Sequence, residues 1–198
     1  MSKSLEERVA ELEKKVMTLV RNEKVNIGKG LKVGDTFELV GATWKILDIT
    51  EKGYICLADC LKESKRFDSS CNNWQESELR NYLNIDFYKE LAAEVGEENI
   101  ILFERDLLSL DGQTEYGTCE DRVSLLTVDE YRKYRKLIPN TGDDYWWMCT
   151  PDSTKCNDDE RWVTVVAPSG DVDGVCCGDH GGVRPFCIFS SAIFESEE

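Results

Sequence analysis

Tyr145-Trp146-Trp147-Met148-Cys149-Thr150-Pro151, Trp162-Val163-Thr164-Val165-Val166 and Gly182-Val183-Arg184-Pro185 are the stretches whose reading decides the fold. Beyond Pro139 no helical period survives. Gly, Asp, Ser, Pro and Cys dominate there, between short apolar strands at 162–166 and 186–189. Strands that frame loops are the mark of a small α+β domain that carries its binding residues on those loops.

Working back toward the N-terminus, runs at 36–40, 43–49 and 54–57 are broken by Gly34, Gly41 and Gly53. They predict an opening meander of antiparallel strands. Residues 75–94 read as a helix, with Leu79, Tyr82, Leu83, Phe87 and Leu91 on one face. A strand is expected at 100–103, and a second helix at 128–137 with Thr127 as its N-cap. The expectation is one α+β domain over 31–198, with antiparallel strands, two helices and a loop-rich C-terminal region.

A different texture precedes it. Leu5, Val9, Leu12, Val16 and Leu19 are spaced as the a/d seam of a coiled coil, valine at a and leucine at d. Charged residues such as Glu6, Glu7, Glu11, Glu13, Lys14 and Lys15 fill the flanks, and Ser4 with Glu7 reads as a capping box. The seam stops at Glu23. Residues 1–26 are therefore read as a coiled-coil helix and 27–30 as a linker. The expected partner is a second or third copy of the chain, bound through residues 4–20. The rival reading is one amphipathic helix docked on its own domain.

Composition narrows the function. Lys and Arg total 24 against 39 Asp and Glu, a formal charge of −15, which repels phosphate backbones and anionic membranes. No run approaches the roughly 18 apolar residues of a membrane span. The N-terminus lacks the apolar core of a secretory signal, so synthesis in a bacterial cytoplasm is expected, with a virion as a further location. Nine cysteines accompany a single histidine, His180, without a Cys-x-x-Cys pair. Free thiols are expected rather than a metal site, and no cofactor.

Four separated motifs carry a resemblance. Trp74, Glu78-Leu79-Arg80-Asn81-Tyr82-Leu83-Asn84 and Phe87 resemble the "W…S.LR.WLN..F" segment of an uncharacterised bacterial and phage domain family. Tyr145 to Pro151 is similar to its "Y..WWLRSP", Val163 to Gly170 to its "V…G", and 182–185 to its "GVRP". The family looks like a branch of the C-type-lectin-like superfamily, related in fold to formylglycine-generating enzymes. It is also similar to the variable proteins of diversity-generating retroelements, some of which are phage receptor-binding proteins. Two departures stand out: Met148-Cys149-Thr150 replaces Leu-Arg-Ser, and Val175 to Gly181 has an unusual composition. Randomised adenines in an asparagine codon would yield such residues as Cys149, Asp152, Cys156, Asp173, Cys176, Cys177, Asp179 and His180.

The expected binding face therefore comprises Asp144, Tyr145, Trp147, Cys149, Asp152, Cys156, Asp173, Cys176, Cys177, Asp179 and His180. Trp146 and Trp147 admit two readings, a sugar-stacking platform or core. Arg184 is read as structural. The acidic loop clusters at 143–144, 158–160 and 171–173 read as solvated faces, with calcium as the alternative. No nucleophile elbow or phosphate loop is present, so no catalytic residue is assigned. The expected function is non-enzymatic binding of a protein or glycan. A structural virion component and a formylglycine-generating type of thiol or metal enzyme are the alternatives.

Overall fold

A computed structural model describes Ser4, Leu5, Arg8, Val9, Glu11, Leu12, Lys15, Ile27, residues 30–140 and residues 144–194. The expected meander is there: β1 (Thr36–Leu39), β2 (Ala42–Thr50) and β3 (Gly53–Ala58) pair antiparallel in that order. Val40 and Gly41 join β1 to β2 with φ of 50° and 66°. Two positive φ values give the tight turn whose twist matches that of the strands it connects. After β4 (Lys65–Arg66), a 3-10 turn at Trp74–Glu76 leads into α1 (Glu78–Tyr82), a π turn at Leu83–Phe87 and α2 (Tyr88–Val95). The helix expected at 75–94 is thus a composite, and Ser77 caps α1 by accepting from the Arg80 N–H.

β5 (Phe103–Asp106) pairs with β6 (Thr118–Asp121), and α3 (Val128–Tyr134) follows. The strand expected at 100–103 needs correction. Ile100 only bridges Phe189, and the Ile101 N–H is spent on the Ile188 carbonyl, so the paired strand starts at Phe103. Thr127 does cap α3, in a full capping box with Glu130, but the helix stops at Tyr134 rather than 137. The C-terminal third supplies β7 (Trp146–Pro151), β8 (Trp162–Val166), β9 (Val172–Cys176), β10 (His180–Gly181) and β11 (Phe186–Phe189).

β11 returns to pair with β3, so the central sheet runs β1-β2-β3-β11, while β7-β8-β9 form a separate antiparallel sheet. The central sheet is covered on both faces: Ile46 and Leu47, adjacent on β2 beside a bulge, point to opposite sides and join different halves of the core. One face packs Phe37, Trp44, Ile46, Cys187 and Phe189 against Leu79, Leu83, Phe87 and Leu91 of the helical segment. The other packs Leu47, Leu57, Phe186 and Ile188 against Tyr131 and Tyr134 of α3 and against Trp146, Met148 and Val166 of the second sheet. Gly53 is required where β3 meets β11: a Cβ there would lie 2.2 Å from the Phe189 carbonyl oxygen.

Leu5, Arg8, Val9, Glu11, Leu12 and Lys15 are helical, and Glu11 pairs with Lys15 at 3.5 Å. The seam residues Leu5, Val9 and Leu12 are 76%, 46% and 60% exposed. The rest of the seam, Val16 and Leu19, lies outside the described residues. Among the described residues no helix is long and apolar enough to cross a membrane.

Candidate functional site

The recurring motif residues turn out to brace the scaffold. Asp121 is a buried carboxylate held from two sides, by Trp74 Nε1 at 2.7 Å and Arg80 Nε at 2.7 Å. Removing either donor would leave that charge short of a partner, at a cost of about 1.5–3 kcal/mol. Asn84 accepts from the N–H groups of Arg122 and Val123 and donates to the Val123 carbonyl at 2.7 Å. Arg184 is buried as expected: its Nε donates to the Ala58 carbonyl at 2.9 Å and its plane lies over Trp146. Trp146 and Trp147 are both core, which decides between their two readings.

Three residues expected on the binding face are corrected by burial. Trp147 is fully buried and donates from Nε1 to the Lys65 carbonyl at 2.8 Å. Cys149 is fully buried with its thiol toward the Leu125 and Leu126 carbonyls, and desolvation pushes it up to about 12. Cys177 is fully buried and pushed up to about 11 by the same cause. None of the three can meet a ligand that arrives from water. β7 is buried along its whole length and Cys177 follows the half-buried Cys176; sequence alone does not reveal that both faces of β7 are covered.

The remaining residues reach the surface in two neighbouring groups. In the first, Tyr145 is half-buried with its ring edge-on to Trp147, centroids 5.7 Å apart. Burial raises its hydroxyl, and the charges of Asp179, Asp144 and Cys176 raise it further, which places those groups around it. Cys176 lies at the end of β9 with the Arg161 guanidinium 3.6 Å from its sulfur. The Gly178 N–H and Arg161 together lower this thiol. Asp179 is exposed at the following turn, and His180, exposed at the start of β10, lies opposite Arg66. Asp173 is exposed on β9 and accepts from the Gly174 N–H.

The second group is a surface cleft of about 420 Å³ lined by Leu110, Asp111, Asp152, Ser153, Asn157 and Asp159. Asp111 is fixed by donors from Ser109, Ser153 at 2.8 Å and Asn157 at 3.0 Å, and these bonds lower its carboxyl. Asp152 is raised, first by burial and then by the charges of Asp159 and Asp111. Cys156 stands nearby but is engaged: its thiol donates to Glu115 Oε2 at 2.9 Å, which raises it. Among the described residues no three His, Cys, Asp or Glu side chains are grouped to hold a metal ion. Among the described residues no disulfide is formed.

Trp162 joins the two groups and was not anticipated as a site residue. It faces Cys176 across the β8–β9 ladder, and 47% of it is exposed. Gly174 keeps the ground between Trp162 and Asp152 open: a Cβ built there sits 4.0 Å from each. The apolar run Trp162 to Val166 gives no sign of this, because a first-residue Trp in a buried strand reads as core. Asp111, Ser153 and Asn157 were missed too, since they meet through contacts 42 and 46 residues apart, and so was Arg161, which reaches Cys176 across 15 residues.

The family described as a domain of unknown function (DUF6273) matches residues 51–191. The chain belongs to that family. The match takes in the braces at Trp74, Arg80 and Arg184 and both surface groups, and leaves out β1, β2 and the N-terminal helix. No curated protein and no solved structure matches the chain.

Proposed function

We propose that the protein is a non-enzymatic binding module whose β8–β9 face and adjoining cleft take up a glycan, displayed in more than one copy on the N-terminal helix. The observation that carries this is Trp162, a large ring left half in water near Asp152, which in turn lines a shallow acidic cleft. An aromatic face covers the apolar side of a sugar ring, and fixed carboxylates and amides accept from or donate to its hydroxyls. Asp111 and Asn157 are held in place by Ser109 and Ser153, so little ordering is needed on binding. A C-type-lectin-like domain fits this role; the return of β11 to β3 supports that reading, as does the separate sheet that bears the loops. A phage receptor-binding protein fits too. The retroelement reading loses Cys149 and Cys177, which are buried, and keeps Asp173, Cys176, Asp179 and His180, which are not.

The test is an array of bacterial surface glycans probed with the full chain, followed by titration of hits with Trp162→Ala. Binding that is lost in this variant, with an unchanged thermal transition, supports the proposal. Hits that persist undiminished in Trp162→Ala refute it. Binding only to basic proteins, weakening steeply with salt, would instead make the acidic cleft a protein-docking site. A turnover abolished by alkylation of Cys176 would favour a thiol enzyme of the formylglycine-generating type. A homomeric contact that buries Trp162 would favour a structural virion component.

A further inference from the structure

The flanks of the N-terminal seam carry an orientation. With Val9 and Val16 at a and Leu5, Leu12 and Leu19 at d, the e positions are Glu6 and Glu13 and the g positions are Arg8 and Lys15. Within the charged heptads each e residue is acidic and each g residue basic. Leu5, Val9 and Leu12, the described part of the apolar stripe, stand exposed along the same helix in the single chain. We propose that two copies of this chain pair along residues 4–20 as a parallel, in-register coiled coil; this rests on the self-association reading above.

Charge complementarity selects the direction. In a parallel pair, g of one helix meets e of the following heptad on the other, so Arg8 meets Glu13 of the second copy, twice by symmetry. In an antiparallel pair, g meets g and e meets e. Arg8 would then oppose Lys15, and Glu6 would oppose Glu13, a like-charge encounter on both flanks. Valine at a with leucine at d packs best as two strands rather than three in parallel coils. A parallel pair puts both C-terminal domains at the same end of the coil. Two Trp162 faces then meet one target, and the second contact forms at high effective concentration.

The experiment uses the full chain and a full-length variant with inverted flanks, Glu6→Lys, Arg8→Glu, Glu13→Lys and Lys15→Glu. Each is sized by sedimentation; the two are then mixed, exchanged and weighed by native mass spectrometry. Parallel pairing predicts a dimer for each alone, and on mixing a share of heterodimer below the statistical value, because g and e then clash across the pair. An excess of heterodimer means antiparallel pairing and overturns the proposal, and trimers overturn the two-strand assignment. A wild-type chain that stays monomeric at every concentration sinks the self-association reading itself. Leu12→Glu, which disperses a coil without touching the domain, confirms that any dimer forms through this seam.

Discussion

Gly181→Ala tests the link between the scaffold and the binding face. Gly181 is buried in β10, and its φ lies outside the left-handed region, so an added methyl group brings steric conflict without backbone strain. The new Cβ would lie 2.7 Å from Tyr145 Cε2, 2.9 Å from Trp147 Nε1 and 3.0 Å from Trp147 Cε2. Trp147 cannot retreat: it is fully buried, bonded to the Lys65 carbonyl and packed on Phe67. Tyr145 can, because its ring is half in water. Overpacking of this kind costs about 1–3 kcal/mol. For a domain of this size that corresponds to a fall in Tm of about 2–12 °C. Thermal and urea unfolding followed by tryptophan fluorescence would measure it, with Tyr145→Ala and the double variant completing a cycle. The double variant should be more stable than the two single losses sum to, by at least about 0.5 kcal/mol. A Gly181→Ala protein as stable as wild type, or strictly additive losses, would refute the packing argument.

Asp68 gives a pH prediction. Burial raises its carboxyl, but the N–H groups of Ser70, Cys71 and Glu78 outweigh that and lower it below the ordinary value. A lowered folded value contributes stability above the unfolded pKa of about 3.9 and loses it as pH falls through the folded one. Asp68→Ala should therefore cost about 1–3 kcal/mol at pH 7, and the gap from wild type should close below about pH 4. A gap that is constant with pH would count against the assignment. Cys176, lowered by Gly178 and Arg161, should be alkylated faster at neutral pH than Cys156, which Glu115 raises. Arg161→Ala should slow Cys176, read by peptide mass mapping; an unaltered rate would remove Arg161 from the account.

Local chemistry made much of the framework legible. Turn glycines and β-branched runs placed β1 to β3, because strand and turn preferences act within a few residues. Thr127 with Glu130 marked the start of α3 for the same reason: a capping box closes over three residues. Arg184 could be read as structural because a guanidinium beside proline in a loop-rich core needs buried acceptors. The flank charges of the N-terminal helix also follow from spacing alone.

What tertiary structure alone decided is which side each residue faces. Trp147, Cys149 and Cys177 look as accessible on paper as Tyr145, Cys176 and Asp179, yet β7 and the turn after β9 bury the first three. Trp162 looks like core, yet it is the exposed first residue of β8, while the four residues that follow it in the strand are buried. The cleft exists because Asp111, on one loop, is bonded to Ser153 and Asn157 on another more than 40 residues away. Propensity is local and could be read from the chain, whereas burial belongs to pairs of distant segments and appears only when β11 closes on β3 and the second sheet is packed.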